Sequence, residues 1–254
     1  MPTFEELLAE GESVPVEGWD FSWFEGRATE ERPPWGYAAL IGARMAGVAA
    51  ALDIQTGGGE VLASIPEPPP VLAATESWPP NVALARRRLA PLGGTVAEVA
   101  DEADLPFGDG SFDLVVSRHP VVTVWPEVAR VLRPGGSYLS QQIGAGTNRE
   151  LTEYMMGPQP VRPGRSTQRA KAQAEAAGLV VTDLREAELR VTFDDVAAVV
   201  YFLRKVLWTV PGFTVAAYRE PLARLHEQIQ ATGPFVSHAR RFLIEARKPA
   251  RPGS

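Results

Sequence analysis

The sequence predicts an α/β fold, an open sheet with helices on both faces. Three observations carry that prediction. The apolar run Val48 to Ile54 turns through Gly57, Gly58 and Gly59 into the helical opening Glu60 to Ala63. A second short run, Val71 to Glu76, again ends on an acid and is followed by a helical stretch, Asn81 to Leu92. The alternation then repeats, with a strand that ends at Ser117 and Arg118, a helix over 122–132 and a strand from Ser137 to Ile143. Strands alternating with helix-length segments read as βαβ units rather than as hairpins.

The remaining elements follow in order. Residues 1–47 read as a helical lead-in carrying the aromatic run Trp19-Asp20-Phe21-Ser22-Trp23-Phe24, with Arg27, Trp35 and Tyr37 beyond it. The segment 157–164 is turn-rich but too short for a domain linker. A helix from Ser166 to Ala177 stops at Gly178, a C-cap residue. Leu179 to Val191 alternates loosely as a strand. Two helices, about 193–208 and 215–232, precede a terminal strand from Ser237 to Ala246. The whole chain, 1–254, reads as one domain: lead-in or lid to 47, ligand-binding core 48–143, and remaining strands with capping helices 144–254.

Composition narrows the class. With 254 residues, 45% of them hydrophobic, the chain can bury a full core. No apolar run approaches the roughly 18 residues that span a bilayer, and the start MPTFEELLAEGES is acidic rather than signal-like. A cytoplasmic protein without membrane attachment is expected. Zero cysteines exclude disulfides, Cys-based zinc and thiol nucleophiles together, and three scattered histidines make a His-rich metal site unexpected. A net charge of −6 argues against nucleic-acid partners, whose binding rests on phosphate neutralisation. The oligomeric state is left open.

The glycine turn is not a dinucleotide fingerprint, because counting from Gly57 the third glycine position holds Leu62. Nor does a Lys-Ser or Lys-Thr pair follow it, as a phosphate loop requires. Further along stand Asp101 to Ser117, of the form DxxxLPFxDGSFDLVVS, and Arg130-Val131-Leu132-Arg133-Pro134-Gly135-Gly136. This ordered set, over roughly 48–143, resembles the class I S-adenosylmethionine-dependent methyltransferases of the methyltransferase type 11 family. The resemblance implies a Rossmann-like fold, a seven-stranded mixed sheet with the last strand antiparallel, and a helical lid. It also implies S-adenosylmethionine as cofactor and S-adenosylhomocysteine as product.

By that resemblance Asp53, Thr56, Gly57 and Gly59 line the methionine end of the cofactor, and Glu76 takes the ribose hydroxyls. Trp78 would stack on adenine, and Asp101, with Glu102 beside it, would accept from the adenine amino group. Ser117 and Arg118 end the strand where cofactor and substrate meet. Gln55 departs from the pattern, standing where the family has glycine. A glutamine keeps the turn only if the backbone angle is ordinary; it is either a tolerated variant or a mark of lost cofactor binding. The intact remainder of the signature favours the first.

Ligands of open α/β sheets lie beyond the carboxyl ends of the strands. His119, just past one such end, is the candidate general base, since an imidazole titrates near neutrality; a backbone hydrogen bond or substrate orientation is the competing reading. Trp19 and Trp23 either wall an acceptor pocket or staple the lead-in to the core. Gln141, Gln142, Thr147 and Asn148 either cap strand ends or bind acceptor, with Gln142 and Asn148 the chosen substrate contacts. Arg27 and Tyr37 would reach the cofactor carboxylate. The expected function is methyl transfer to a small-molecule acceptor by in-line displacement. The alternatives are a methyltransferase-like protein that binds ligand or partner without catalysis, or an enzyme acting on RNA or protein.

Overall fold

Short apolar runs punctuated by glycine and proline fold as a strand–helix alternation in the computed structural model, which describes residues 2–16, 21–161 and 163–250. Helix α1 (Phe4–Ser13) opens on a capping box, with Thr3 and Glu6 exchanging hydrogen bonds. Strand β1 (Ala28–Glu30) and helix α2 (Tyr37–Met45) follow. Next come β2 (Ala50–Asp53), α3 (Glu60–Ala63), β3 (Val71–Glu76), α4 (Pro79–Leu89), β4 (Thr95–Glu98), β5 (Phe112–Arg118), α5 (Trp125–Val131) and β6 (Leu132–Ile143). The chain ends with α6 (Arg149–Met156), α7 (Thr167–Ala176), β7 (Val180–Phe193), α8 (Val196–Lys205), α9 (Arg219–Thr232) and β8 (Phe235–Arg247).

Among the described residues eight strands, one more than expected, hydrogen-bond in the order β1-β7-β8-β6-β5-β2-β3-β4. Strands β2 to β6 pair in parallel, and β8 is antiparallel to β6, lying between it and β7. The extra strand is β1, antiparallel to the end of β7, so the lead-in is not wholly helical. At three residues it is too short to show alternation in the sequence. Its register is pinned by Thr29 and Thr192, whose hydroxyls meet at 2.7 Å, and by Glu31, whose carboxylate accepts from Arg190 N. Helix α3 is a single turn, because Pro66, Pro68, Pro69 and Pro70 follow it closely.

The chain packs as two units. The larger comprises residues 33–144, 163–187 and 241–254, and the smaller comprises 1–32, 145–162 and 188–240. In the larger unit the parallel strands bury both faces, as sheets covered by helices do. Leu52, Val115 and Tyr138 face one apolar cluster with Trp125, Val128 and Phe242. Ala51, Leu114, Val116 and Leu139 face the other, with Ile41, Met45 and Leu62. Burying a side chain such as Leu52 contributes about 1.5–3 kcal/mol. Helix α7 ends in a Schellman motif at Gly178, where Gly178 N reaches Glu175 O and Leu179 N reaches Ala174 O.

In the smaller unit α8 is buried on every side from Val196 to Leu203. Helix α1 crosses it closely at Gly11, where a Cβ would stand 2.7 Å from the Ala197 carbonyl oxygen. Arg204 secures the same crossing, donating from Nη1 to the carbonyls of Gly11 and Val14 at the end of α1.

Candidate functional site

The carboxyl ends of β2 and β3 hold two buried acids side by side in the sheet. Asp53 ends β2, and its Oδ2 accepts from Thr56 Oγ1 at 2.7 Å. Glu76 ends β3; its Oε2 accepts from Gly57 N at 2.8 Å and its Oε1 from Trp78 N at 3.0 Å. Glu76 therefore holds the glycine turn while each oxygen keeps a lone pair for a ligand hydroxyl. Gly59 lies where α4 passes, and a Cβ there would come 3.3 Å from Ala85 Cα. Arg88, also from α4, clamps the turn through Gly58 O and Glu60. Burial raises the Asp53 carboxyl to about 7; the Thr56 bond opposes this, the neighbouring Glu76 charge adds to it, and Arg118 opposes it again.

Gln55 adopts φ +58°, the left-handed region, so the expectation of an ordinary backbone angle is corrected. The side chain explains how a non-glycine residue is held there. Its Nε2 donates to Val122 O at 2.9 Å, and its Oε1 accepts from Val121 N at 2.6 Å. The left-handed conformation costs about 1–2 kcal/mol, and two net hydrogen bonds at about 0.5–1.5 kcal/mol each offset it. Gln55 thus clasps the turn after β2 to the loop after β5. Three non-glycine residues are left-handed among those described, Gln55, His119 and Asn148, and such conformations concentrate at functional sites.

Beside the turn opens a small cleft, lined by Ile54, Gln55, Thr75, Val99 and Asp101 and by Leu105, Ser117, Val122 and Val124 among others. Glu127 lines it and is held by Arg130. Glu127 accepts from Leu105 N at 2.7 Å, and Arg130 binds Glu127, Asp109 and the carbonyls of Leu105 and Phe107. The arginine of the RVLRPGG segment therefore fixes the loop that carries Asp101. Glu102 is exposed and outside the lining, and Trp78 stands 41% exposed at the start of α4, also outside it.

His119 follows β5, donating from its main chain to Gln141 O at 2.7 Å. Trp35 Nε1 donates to Gln141 Oε1 at 2.7 Å, so the amide nitrogen of Gln141 faces His119 Nε2 at 2.9 Å. That nitrogen only donates, hence His119 Nε2 accepts and the ring proton sits on Nδ1. Burial, then the charges of Arg241, Arg118 and Arg165, hold this imidazole well below its ordinary value. Two obstacles thus face His119 as a base: its accepting nitrogen is engaged, and nearby cations disfavour the imidazolium. Ser117 turns its hydroxyl inward to Tyr138 and Ser140, while Arg118 is exposed. Tyr37 is spent on Ser117 O at 2.9 Å, and Gln142 reaches Thr123 Oγ1 at 3.2 Å.

The other expected residues fall in the smaller unit. Trp19 lies outside the described residues. Trp23 packs edge-on against Tyr201, with the Arg27 guanidinium 4.5 Å from its ring centroid. Arg27 is paired with Glu10 at 2.6 Å and Asp195 at 3.5 Å, so its expected reach to a cofactor carboxylate is replaced by a structural role. Asn148 is buried, with no hydrogen-bond partner for Oδ1, and His238 pairs with Glu150 at 2.8 Å. Lys205 was absent from the expected set, although its spacing of four from Tyr201 put both on one helix face. No group of metal-ligating side chains occurs among the described residues, nor a helix long and apolar enough to cross a membrane.

Residues 52–140 match a family model described as a methyltransferase domain. The fold is shared with the YcgJ protein of Bacillus subtilis, at TM-score 0.60 and 21% identity over 84% of this chain and 97% of that one. It is shared too with a geranyl diphosphate methyltransferase in complex with SAM, at 0.51 and 14% over 84% of each. Phosphoethanolamine N-methyltransferase 2 of Haemonchus contortus, with S-adenosylhomocysteine bound, aligns at 0.53 and 18% over 98% of this chain and 61% of its own. No curated protein matches in sequence.

Proposed function

We propose that this chain is an S-adenosylmethionine-dependent methyltransferase that methylates a small-molecule acceptor, a reading supported by the match of residues 52–140 to a methyltransferase domain. The observation that carries the cofactor assignment of individual residues is the set of acids Asp53, Glu76 and Asp101 about one turn and one cleft. Such a set fits a ligand with an ammonium group, a ribose diol and an amino-bearing base. When bound, S-adenosylmethionine supplies a methyl group activated by its sulfonium. Asp53, ionised, would hold the ammonium; Glu76 would accept from the ribose; Asp101 would accept from the adenine amino group. Leu105, Val122 and Val124 would exclude water beside them.

His119 in this reading orients rather than accepts a proton. Its Nδ1–H is a donor, and Trp35 with Gln141 fixes the ring that presents it. Methyl transfer asks mainly for alignment, so a strong base is unnecessary unless the acceptor must lose a proton first. The net charge of −6 supports a small acceptor over RNA and fits the expected cytoplasmic setting. The test incubates the protein with methyl-labelled cofactor and separate pools of small metabolites, RNA and protein, followed by mass spectrometry. Label in a small molecule supports the proposal; label confined to RNA or protein overturns it.

A further inference from the structure

We propose that the smaller unit binds an aromatic carboxylate through Lys205, a ligand site additional to the cofactor site proposed above. Lys205 is the last residue of α8 and only 7% exposed. Its Nζ has no hydrogen-bond acceptor. What surrounds it is aromatic: the Phe21 ring centroid lies 5.1 Å away and that of Tyr201 5.4 Å. Lysine is almost never buried this far without a partner, because an ammonium brings three donors that water would otherwise satisfy.

Ring faces and the helix end attract the charge, yet neither accepts its hydrogen bonds. Two half-buried cations of this unit have oxygen partners. Arg204 has two carbonyls and Arg27 two carboxylates. Asp195 is used by Arg27 and by Ala198 N. An uncompensated buried charge is destabilising, and proteins retain such groups where function requires them.

The missing acceptor is on this inference an oxygen anion from outside the chain, and the neighbouring rings set its companion body. Trp23, Phe24 and Tyr201 form a continuous ring cluster, with centroids 5.0–6.2 Å apart. Phe21 stacks on Phe24 and is itself 40% exposed, so one ring at the surface stands over the ammonium. A flat apolar body ending in a carboxylate meets both requirements, and the inference commits to that class.

The test titrates 2-naphthoate and its neutral counterpart methyl 2-naphthoate into the full chain by calorimetry, with wild type, Lys205→Met and Lys205→Arg. Naphthoate is expected to bind wild type about tenfold more tightly than the ester, to lose about tenfold in Lys205→Met, and to recover in Lys205→Arg. Lys205→Met should also melt at or above the wild-type temperature, since it removes an unsatisfied charge, whereas a purely structural lysine would lower it. Equal binding of acid and ester, or equal binding by wild type and Lys205→Met, overturns the role of Lys205 and leaves the small-molecule reading standing. No binding of either probe overturns the inference, while the labelled-methyl experiment decides the broader reading independently.

Discussion

The two units of this chain treat their buried polar groups differently. Among the described residues, four buried side-chain atoms lack a hydrogen-bond partner: Arg27 Nη1, Asn148 Oδ1, Lys205 Nζ and His226 Nδ1. All four belong to the smaller unit. In the larger unit the buried acids, Ser117, Tyr138 and Gln141 are each tied to a neighbour. One region is organised in advance, with carboxylates fixed by the turns they will serve; the other keeps donors and acceptors in reserve. Polar groups satisfied within the fold are pre-organised for a ligand, whereas unsatisfied ones are completed only when a ligand arrives.

The largest effect is expected at Asp53. Its ordinary value is 3.8 and its folded value about 7. Below 3.8 both folded and unfolded states are protonated; between the two values only the folded state is. Stability from this group is therefore full at low pH and lost as pH rises toward 7. Asp53→Asn should raise the stability of the ligand-free protein at pH 8 by on the order of 2–4 kcal/mol and weaken S-adenosylmethionine binding about a hundredfold. Wild-type binding should fall as pH drops below about 7, as the carboxylate is protonated. Calorimetry and thermal melts at pH 6 and 8 check all three; a stability loss at pH 8 would show that Asp53 is structural.

Gly11→Ala applies the comparison to the other unit. Forcing a methyl against the Ala197 carbonyl should cost about 1–3 kcal/mol, measured by urea unfolding, while S-adenosylhomocysteine binding stays within about threefold of wild type. A collapse of cofactor affinity would show that the site depends on the α1–α8 crossing. Gln55 offers a finer test. Gln55→Gly loses the clasp but keeps the turn, whereas Gln55→Ala also leaves a Cβ in the left-handed region and should be less stable by a further ~1 kcal/mol. Hydrogen exchange at Val121 N should quicken in both variants.

The smallest effect is expected at His119. If the ring only orients, His119→Gln should keep turnover within about tenfold and leave the pH–rate profile unchanged in shape. A loss of three orders of magnitude, or of an acid limb, would restore the proton-accepting role.

Much of the larger unit was legible in the sequence because its signals are local. The run Val71 to Glu76 matches β3 residue for residue, and Gly178 sits at the expected helix end. The strand β1 was hidden, since its partner lies more than 160 residues away. Gln55 showed that residue identity alone leaves a turn undecided: its angle is set by contacts to Val121 and Val122, distant in sequence. Trp78 and Glu102 stood near the correct strand ends, yet side-chain direction, which spacing does not fix, turns them toward solvent. Lys205 looked like an ordinary basic end to an apolar helix; its lack of an acceptor is a property of the packed unit.

The most direct test of the central claim titrates S-adenosylhomocysteine into wild-type protein and Glu76→Ala by calorimetry. One saturable site that weakens about ten- to a hundredfold in the variant, the worth of a charge-assisted hydrogen bond, is the predicted result. Absence of saturable binding to wild type, or equal binding to both proteins, would contradict the assignment of the Asp53–Glu76 turn as the cofactor site.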